Sequence, residues 1–359
     1  MSVHIENLSA IGFLAFPDCL AFLKSELIKR FGLSESTHFK CYGDIVLLEG
    51  EDLSAFLSGI SSNGESVSEK VITAESLSET PGEKLLEVIP PEKLPYWART
   101  TLLKPFLLNF ESIGDASRTL KELQRNWAPY QYQSFRRATL IQEKLPYINL
   151  KAKKFPFSIP KSPIGVYTLI EDKKILASQF TSSYLPAGRI EFIEDHENPP
   201  SRAYLKISES LTLANLFFDV ELPGPESRCF EAGACPGGWT WVLVNLGSKV
   251  YAVDRAELAP SLMTNPLVTF QAHDAFTLKP EDIGKCDWVF SDVICYPERL
   301  LEWIKVWLDS GLTKNMICTI KMQGEIDWNI VQQFADIPSS RVVHLNYNKH
   351  ELTWIHCEK

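Results

Sequence analysis

The chain is 359 residues long, with 45% hydrophobic and 23% charged side chains and a formal net charge of −9 at pH 7. Such a composition excludes a disordered or fibrous chain and leaves room for two or three globular domains. The acidic balance excludes a protein that coats nucleic acid indiscriminately.

No apolar run reaches the length of a transmembrane helix, and the opening residues carry Glu6 and Asp18 without a basic cluster. Neither a membrane partner nor a signal peptide is therefore expected. The 8 cysteines are scattered, with no Cys-x-x-Cys pair and no zinc spacing, and the 7 histidines form no metal-binding pattern. This points to free thiols in a reducing cytoplasm and to no bound metal.

Taken from the N-terminus, 11–48 reads as a small α/β unit, with a strand at 11–16, a helix over 19–31 and a strand at 44–48. Residues 59–80, rich in Ser, Glu and Gly, read as a surface link. A first domain is thus expected over 1–80 and a middle region over 88–195, with a helix within 113–127 and two strands within 164–179 joined at Glu171-Asp172. Charge is uneven: 1–92 carries 6 basic and 15 acidic side chains, 93–174 carries 15 and 6, and 201–359 carries 14 and 20. A locally basic docking face on an acidic protein would give that swing; an ordinary solvated surface would give it as well.

From 201 the pattern becomes regular. A helix over 202–218 is followed by strands near 227–231, 249–254, 267–271, 287–291, 316–320, 341–347 and 352–357, with helices at 239–246, 258–263, 297–309 and 327–335. This predicts one mixed sheet covered on both faces, ending in an antiparallel pair joined by a short link at 348–350.

Ligands of such sheets lie outside the carboxyl ends of the strands. The turn Glu231-Ala-Gly-Ala-Cys-Pro-Gly-Gly-Trp-Thr240 follows the first strand, and Asp254 ends the second, where a carboxylate can accept both hydroxyls of an adenosine ribose. Neither G-x-G-x-x-G nor a phosphate-loop lysine is present, so an adenosine without phosphates fits better, S-adenosylmethionine being the common one. Asp274 follows the third strand, Asp292 the fourth and Lys321 the fifth, with Lys206 and Glu351 able to converge on them. Singly, such residues cap helices, face solvent or salt-bridge at a sheet edge. Trp239 and Trp241 read as core before they read as stacking platforms.

Gly233-Ala-Cys-Pro-Gly-Gly-Trp-Thr240, Ser201-Arg-Ala-Tyr-Leu-Lys206, Phe290-Ser-Asp292, Thr319-Ile-Lys321 and His350-Glu-Leu-Thr353 resemble the FtsJ-like RNA ribose 2′-O-methyltransferases. The resemblance covers about 199–359. It implies an α/β fold with a Rossmann-like seven-stranded methyltransferase sheet, preceded by an N-terminal α+β, THUMP-like and ferredoxin-like region that binds RNA. It carries the family's Lys-Asp-Lys-Glu tetrad onto Lys206, Asp292, Lys321 and Glu351. Cofactor contacts for S-adenosylmethionine fall on Gly233, Ala234, Cys235, Pro236, Gly237, Gly238, Trp239, Asp254, Asp274 and Asp292. The implied substrate is a cytidine of large-subunit (23S) ribosomal RNA, met before the subunit is fully assembled. Two departures stand out: Glu231 replaces the usual Asp, and the N-terminal half matches only weakly.

Lys321 is the expected base, acting as the neutral amine. Asp292 either orients it or holds both lysines and the hydroxyl in one network. The loop over 322–326 is expected to form a lid or a wall of the substrate site, with Gly324 as its hinge. In the basic stretch, Arg136, Arg137, Lys151, Lys153 and Lys154 alternate with aromatics, as a surface that follows phosphates and stacks bases would. The rival readings are a methyltransferase for a small molecule or a protein, and a non-catalytic RNA-binding protein. The first would not need the basic stretch, and the second would not need two lysines beside a carboxylate.

Overall fold

The computed structural model describes residues 3–62 and 72–358. By internal packing the chain divides into two units, Met1–Lys151 with Pro160–Ile190, and Ala152–Ile159 with Glu191–Lys359. The middle region expected over 88–195 is therefore shared between them. Of the link expected over 59–80, residues 63–71 lie outside the described residues. On either side of them the chain is helical, over Gly50–Ser62 and Ala74–Glu79. The serines that suggest a loose link act locally: Ser76 N donates to Thr73 Oγ1 (3.1 Å) and Thr73 N to Ser76 Oγ (2.9 Å), capping the second helix.

Among the described residues the first unit holds nine strands: β1 (His4–Asn7), β2 (Ala10–Ala15), β3 (Lys40–Tyr42), β4 (Ile45–Glu49), β5 (Ala98–Leu102), β6 (Pro105–Asn109), β7 (Trp127–Pro129), β8 (Gly165–Glu171) and β9 (Lys174–Ser178). They form a four-stranded sheet in the order β3-β4-β2-β5 and a five-stranded sheet in the order β1-β6-β9-β8-β7. Only β7 and β8 run parallel; the other pairs are antiparallel. Helix Ile113–Leu123 buries Ala116 and Leu120, one turn apart, and the buried Trp127 indole donates to Leu120 O at 2.8 Å. Glu26, fully buried on helix Leu20–Lys29, pairs with Arg30 (2.7 Å) and accepts from Tyr96 N (2.9 Å) and Trp97 N (3.1 Å). This unit is α+β in character.

The second unit is built on seven strands: β10 (Arg228–Ala232), β11 (Lys249–Asp254), β12 (Val268–Ala272), β13 (Trp288–Ser291), β14 (Asn315–Lys321), β15 (Ser340–Val343) and β16 (Glu351–Cys357). Their order is β12-β11-β10-β13-β14-β16-β15. The first five are parallel, and β16 runs antiparallel to both β14 and β15. Cys229-Phe230, Ala252-Val253, Val289-Phe290 and Met316-Ile317-Cys318 are fully buried at consecutive positions. Continuous apolar runs of this kind are what a parallel sheet covered on both faces requires. Helices Tyr204–Phe218, Gly238–Asn245, Pro297–Ser310 and Trp328–Ala335 are the longer covering elements.

Two details depart from expectation. The strand expected over 341–347 stops at Val343, because Asn346 N and Tyr347 N donate to Glu209 of helix Tyr204–Phe218 (3.0 and 3.2 Å) instead of to a neighbouring strand. The short segment Ala152–Ile159 joins this unit through its backbone. Lys153 N donates to Glu191 O (2.7 Å) and Ile193 N to Lys153 O (2.8 Å).

Candidate active site

β10 ends in a turn that no residue with a β-carbon would make comfortably. Gly233 and Gly237 sit at φ +78° and +107°, and a side chain at either would also run into Val293 or Leu262. The turn is fastened to β11: Gly233 N donates to Val253 O (2.9 Å) and Cys235 N to Asp254 Oδ2 (2.9 Å), while Asp254 Oδ1 accepts from Ala256 N (3.1 Å). Each Asp254 oxygen keeps a lone pair for a further donor, so the pair of ribose hydroxyls expected there can be met. The turn offers backbone and no cationic side chain, which fits an adenosine without phosphates. Ala234, Gly237, Gly238 and Trp239 are buried, Gly233 and Cys235 are half-buried, and Pro236 is exposed. Trp239 packs edge-on against Phe290 with ring centroids 6.2 Å apart, a core position.

Asp274 follows β12 and is already well occupied. Its Oδ1 accepts from Phe276 N (3.1 Å), and its Oδ2 lies 2.7 Å from Arg255 and 3.7 Å from Arg299. Burial pushes its carboxyl up, but the Arg255 and Phe276 hydrogen bonds outweigh that and hold it below the ordinary value.

The four charged residues singled out from strand ends and the opening helix meet in one line of ion pairs. Asp292 leaves β13, and Lys321 closes β14, directly opposite Glu351 in the β14–β16 register. Lys321 Nζ lies 2.9 Å from Asp292 Oδ1, and Lys206 Nζ lies 3.9 Å from Asp292 Oδ2. Lys206, from helix Tyr204–Phe218, also pairs closely with Glu351. The order is therefore Glu351, Lys206, Asp292, Lys321, with each side chain 15–20% exposed. Two lysines and two acidic side chains alternate beside the carboxyl ends of β13 and β14, partly open to solvent. Gly324, at φ +107°, lies in the loop that follows Lys321.

Two buried glutamates frame this line. Glu231 lies at the base of the glycine turn and accepts from Thr240 Oγ1 at 2.6 Å. Burial pushes its carboxyl up to about 8, and the nearby charges of Asp292 and Asp254 push the same way. The Thr240 hydroxyl fixes the place of this carboxyl group. Glu209, within the helix expected over 202–218, was not singled out from the sequence. Its carboxylate accepts from Asn346 N (3.0 Å), Asn346 Nδ2 (2.7 Å) and Tyr347 N (3.2 Å), tying the helix of Lys206 to the connection that leads into Glu351. Burial pushes it up to about 7 despite those hydrogen bonds.

The basic residues are divided between the units. Arg136 and Arg137 open helix Phe135–Lys144 of the first unit, which also contains Lys151. Lys153 and Lys154 belong to the second. Lys153 lies 5.7 Å from the centre of the Phe157 ring, and Phe155 packs edge-on to Phe192, which stacks on Tyr347. Among the described residues, no group of three or more His, Cys, Asp or Glu side chains could hold a metal ion, and no helix is long and apolar enough to cross a membrane. The eight cysteines are free thiols.

The family of FtsJ-like methyltransferases matches residues 199–323. The chain is 36% identical over 131 residues to the ribosomal RNA large subunit methyltransferase M of Xylella fastidiosa (strain 9a5c), covering 36% of this chain and 37% of that one. To the protein of the same name from Hahella chejuensis it is 33% identical over 193 residues, 50% of this chain and 48% of that one. The chain thus spans less than half the length of these curated relatives. Among solved structures, TrmN from Thermus thermophilus aligns over 99% of this chain and 100% of its own at 13% identity, with a TM-score of 0.31, too low to carry an argument. The match to the FtsJ-like methyltransferases takes in residues 199–323, which hold the glycine turn, Asp254, Asp292 and Lys321, and the same part of the chain is similar to the large-subunit ribosomal RNA methyltransferases M.

Proposed function

We propose that this chain transfers a methyl group from S-adenosylmethionine to a ribose 2′-hydroxyl of RNA, the target being a cytidine of large-subunit (23S) ribosomal RNA before the subunit is fully assembled. The observation that carries this reading is the line of alternating charges Glu351, Lys206, Asp292 and Lys321 beside the glycine turn. A protein that only bound the donor would have no use for two lysines facing a carboxylate. The relatives above bear names that place their action on large-subunit ribosomal RNA.

S-adenosylmethionine, when bound, supplies an electrophilic methyl group on a sulfonium. Gly233, Cys235 and Pro236 present turn backbone to it, Asp254 takes the ribose hydroxyls, and Asp274 bounds the adenine side. A ribose hydroxyl is a poor nucleophile in water, so most of the acceleration comes from placing its oxygen in line and removing its proton. Lys321 is the group that takes that proton. Asp292 orients Lys321 through Oδ1 and faces Lys206 with Oδ2, while Glu351 holds Lys206 in place. Arg136, Arg137, Lys151, Lys153 and Lys154 meet the RNA phosphates, and the α+β first unit serves as the THUMP-like recognition part. The reaction takes place in the cytoplasm and needs no metal.

The test is to incubate the purified chain with tritium-labelled S-adenosylmethionine and either unmodified ribosomal RNA or protein-only cell extract. The reading requires label in the RNA and none above background in the protein. Label in protein alone would overturn it.

A further inference from the structure

From Val293 to Tyr296 the residues that leave β13 alternate between inward and outward positions. Asp292 turns into the ion-pair line; Val293 lies against Gly233 of the glycine turn; Cys295 is buried. Between and beyond them, Ile294 is 78% exposed and Tyr296 is 64% exposed, just before helix Pro297–Ser310 begins. The inward pair and the helix start fix the backbone of this loop, so the two outward side chains are held in place on a short, anchored segment. Two large side chains, one aliphatic and one aromatic, are thus open to solvent at alternate positions of one loop. Here the surface starts two residues from a carboxylate of the candidate active site. At no more than about 3.6 Å per residue, Ile294 and Tyr296 cannot lie farther than about 7 and 14 Å along the chain from Asp292.

We propose that Ile294 and Tyr296 form the platform that receives the base of the nucleotide being methylated, Tyr296 stacking on its face and Ile294 covering its edge. The proposal rests on the ribose-methylation reading above. A nucleotide whose 2′-hydroxyl meets Lys321 must carry its base away from the charged line, and the outward face of this loop is the apolar surface that begins beside that line. A neutral aromatic and an aliphatic side chain offer a base dispersion and stacking but no edge-reading hydrogen bonds beyond the Tyr296 hydroxyl. The loop therefore selects an unstacked, single-stranded nucleotide, and it does so by shape more than by base identity. A target held in a continuous double helix cannot offer its base to this surface.

The experiment uses the full chain, tritium-labelled S-adenosylmethionine and an unmodified large-subunit ribosomal RNA transcript, with Tyr296→Ala, Tyr296→Phe and Ile294→Ser compared with wild type. Losing one base–aromatic stack lowers kcat/KM for RNA about tenfold to a hundredfold. Tyr296→Ala should show that loss and Ile294→Ser a smaller one, while Tyr296→Phe, which keeps the ring, recovers most of it. Both side chains are exposed, so melting temperature and calorimetric affinity for S-adenosylmethionine should not move. Wild-type kcat/KM in both Tyr296→Ala and Ile294→Ser would overturn the platform while leaving ribose methylation standing. A matching loss of S-adenosylmethionine affinity in Tyr296→Ala would assign the ring to the donor and overturn it too. A wild type that places no label on RNA ribose would overturn both readings at once.

Discussion

Lys321 is where the account is most exposed to experiment, because its geometry serves both proton removal and simple pairing with Asp292 at 2.9 Å. Lys321→Met keeps the length of the side chain and deletes the amine. Single-turnover methylation should fall about 10²–10⁴-fold, the usual contribution of a general base, while calorimetric affinity for S-adenosylmethionine stays within about twofold of wild type. Near-normal single-turnover rates would leave Lys321 as a positioning residue. Asp254 makes the opposite test. It fastens the turn through Cys235 N and has lone pairs left for the donor's ribose. Asp254→Ala should weaken S-adenosylmethionine binding by about 1–3 kcal/mol, through lost charge-assisted hydrogen bonds. Unchanged affinity would remove Asp254 from the site.

Glu209 joins two elements that approach from opposite ends of the second unit's sequence. Its carboxylate satisfies two backbone N–H groups, Asn346 and Tyr347, that otherwise face the interior without an acceptor. Glu209→Ala should therefore destabilise the chain by about 2–4 kcal/mol in denaturant unfolding, and a loss under about 0.5 kcal/mol would show that water or another group takes over. The contrast with Asp292 and Lys321 shows what pattern reveals and what it does not. Those two close apolar runs in buried parallel strands, so local pattern alone brings them to the ligand side of the sheet. Glu209 sits in the middle of a helix, and its purpose depends on a turn 137 residues away. Nothing local marks such a partner. The same limit explains the segment Ala152–Ile159, whose place in the second unit depends on backbone pairing of Lys153 with Glu191 and Ile193. It also explains the serines of 59–80, which read as a link although the described ones cap or extend helices. In the first unit the strands corresponding to β2, β4, β8 and β9 were legible; β1, β3, β5, β6 and β7 were not, and β1, β3 and β7, at three or four residues, carry too little alternation to read.

For the whole molecule, the buried glutamates set a direction for stability against pH. Glu209 and Glu231 are raised from 4.5 to about 7 and about 8, so the folded chain holds these protons more tightly than the unfolded one. The stability they contribute is complete below about pH 4.5 and is lost as pH rises through 7 and 8. Glu231→Gln keeps an acceptor for Thr240 and removes one of these titrations. Its melting temperature relative to wild type should therefore climb between pH 5 and pH 8.5, and a constant offset across that range would contradict the assignment. The acidic chain with a basic central stretch, the glycine turn and the line of alternating charges all lead to one chemical claim, that the methyl acceptor is a ribose oxygen. The most direct measurement is to label unmodified ribosomal RNA with the purified chain and tritiated S-adenosylmethionine, hydrolyse it in alkali and locate the tritium. A 2′-O-methyl group blocks cleavage at its own nucleotide, so the account predicts label in alkali-resistant dinucleotides with a methylated cytidine on the 5′ side. Label in mononucleotides, carried on a base, would contradict it.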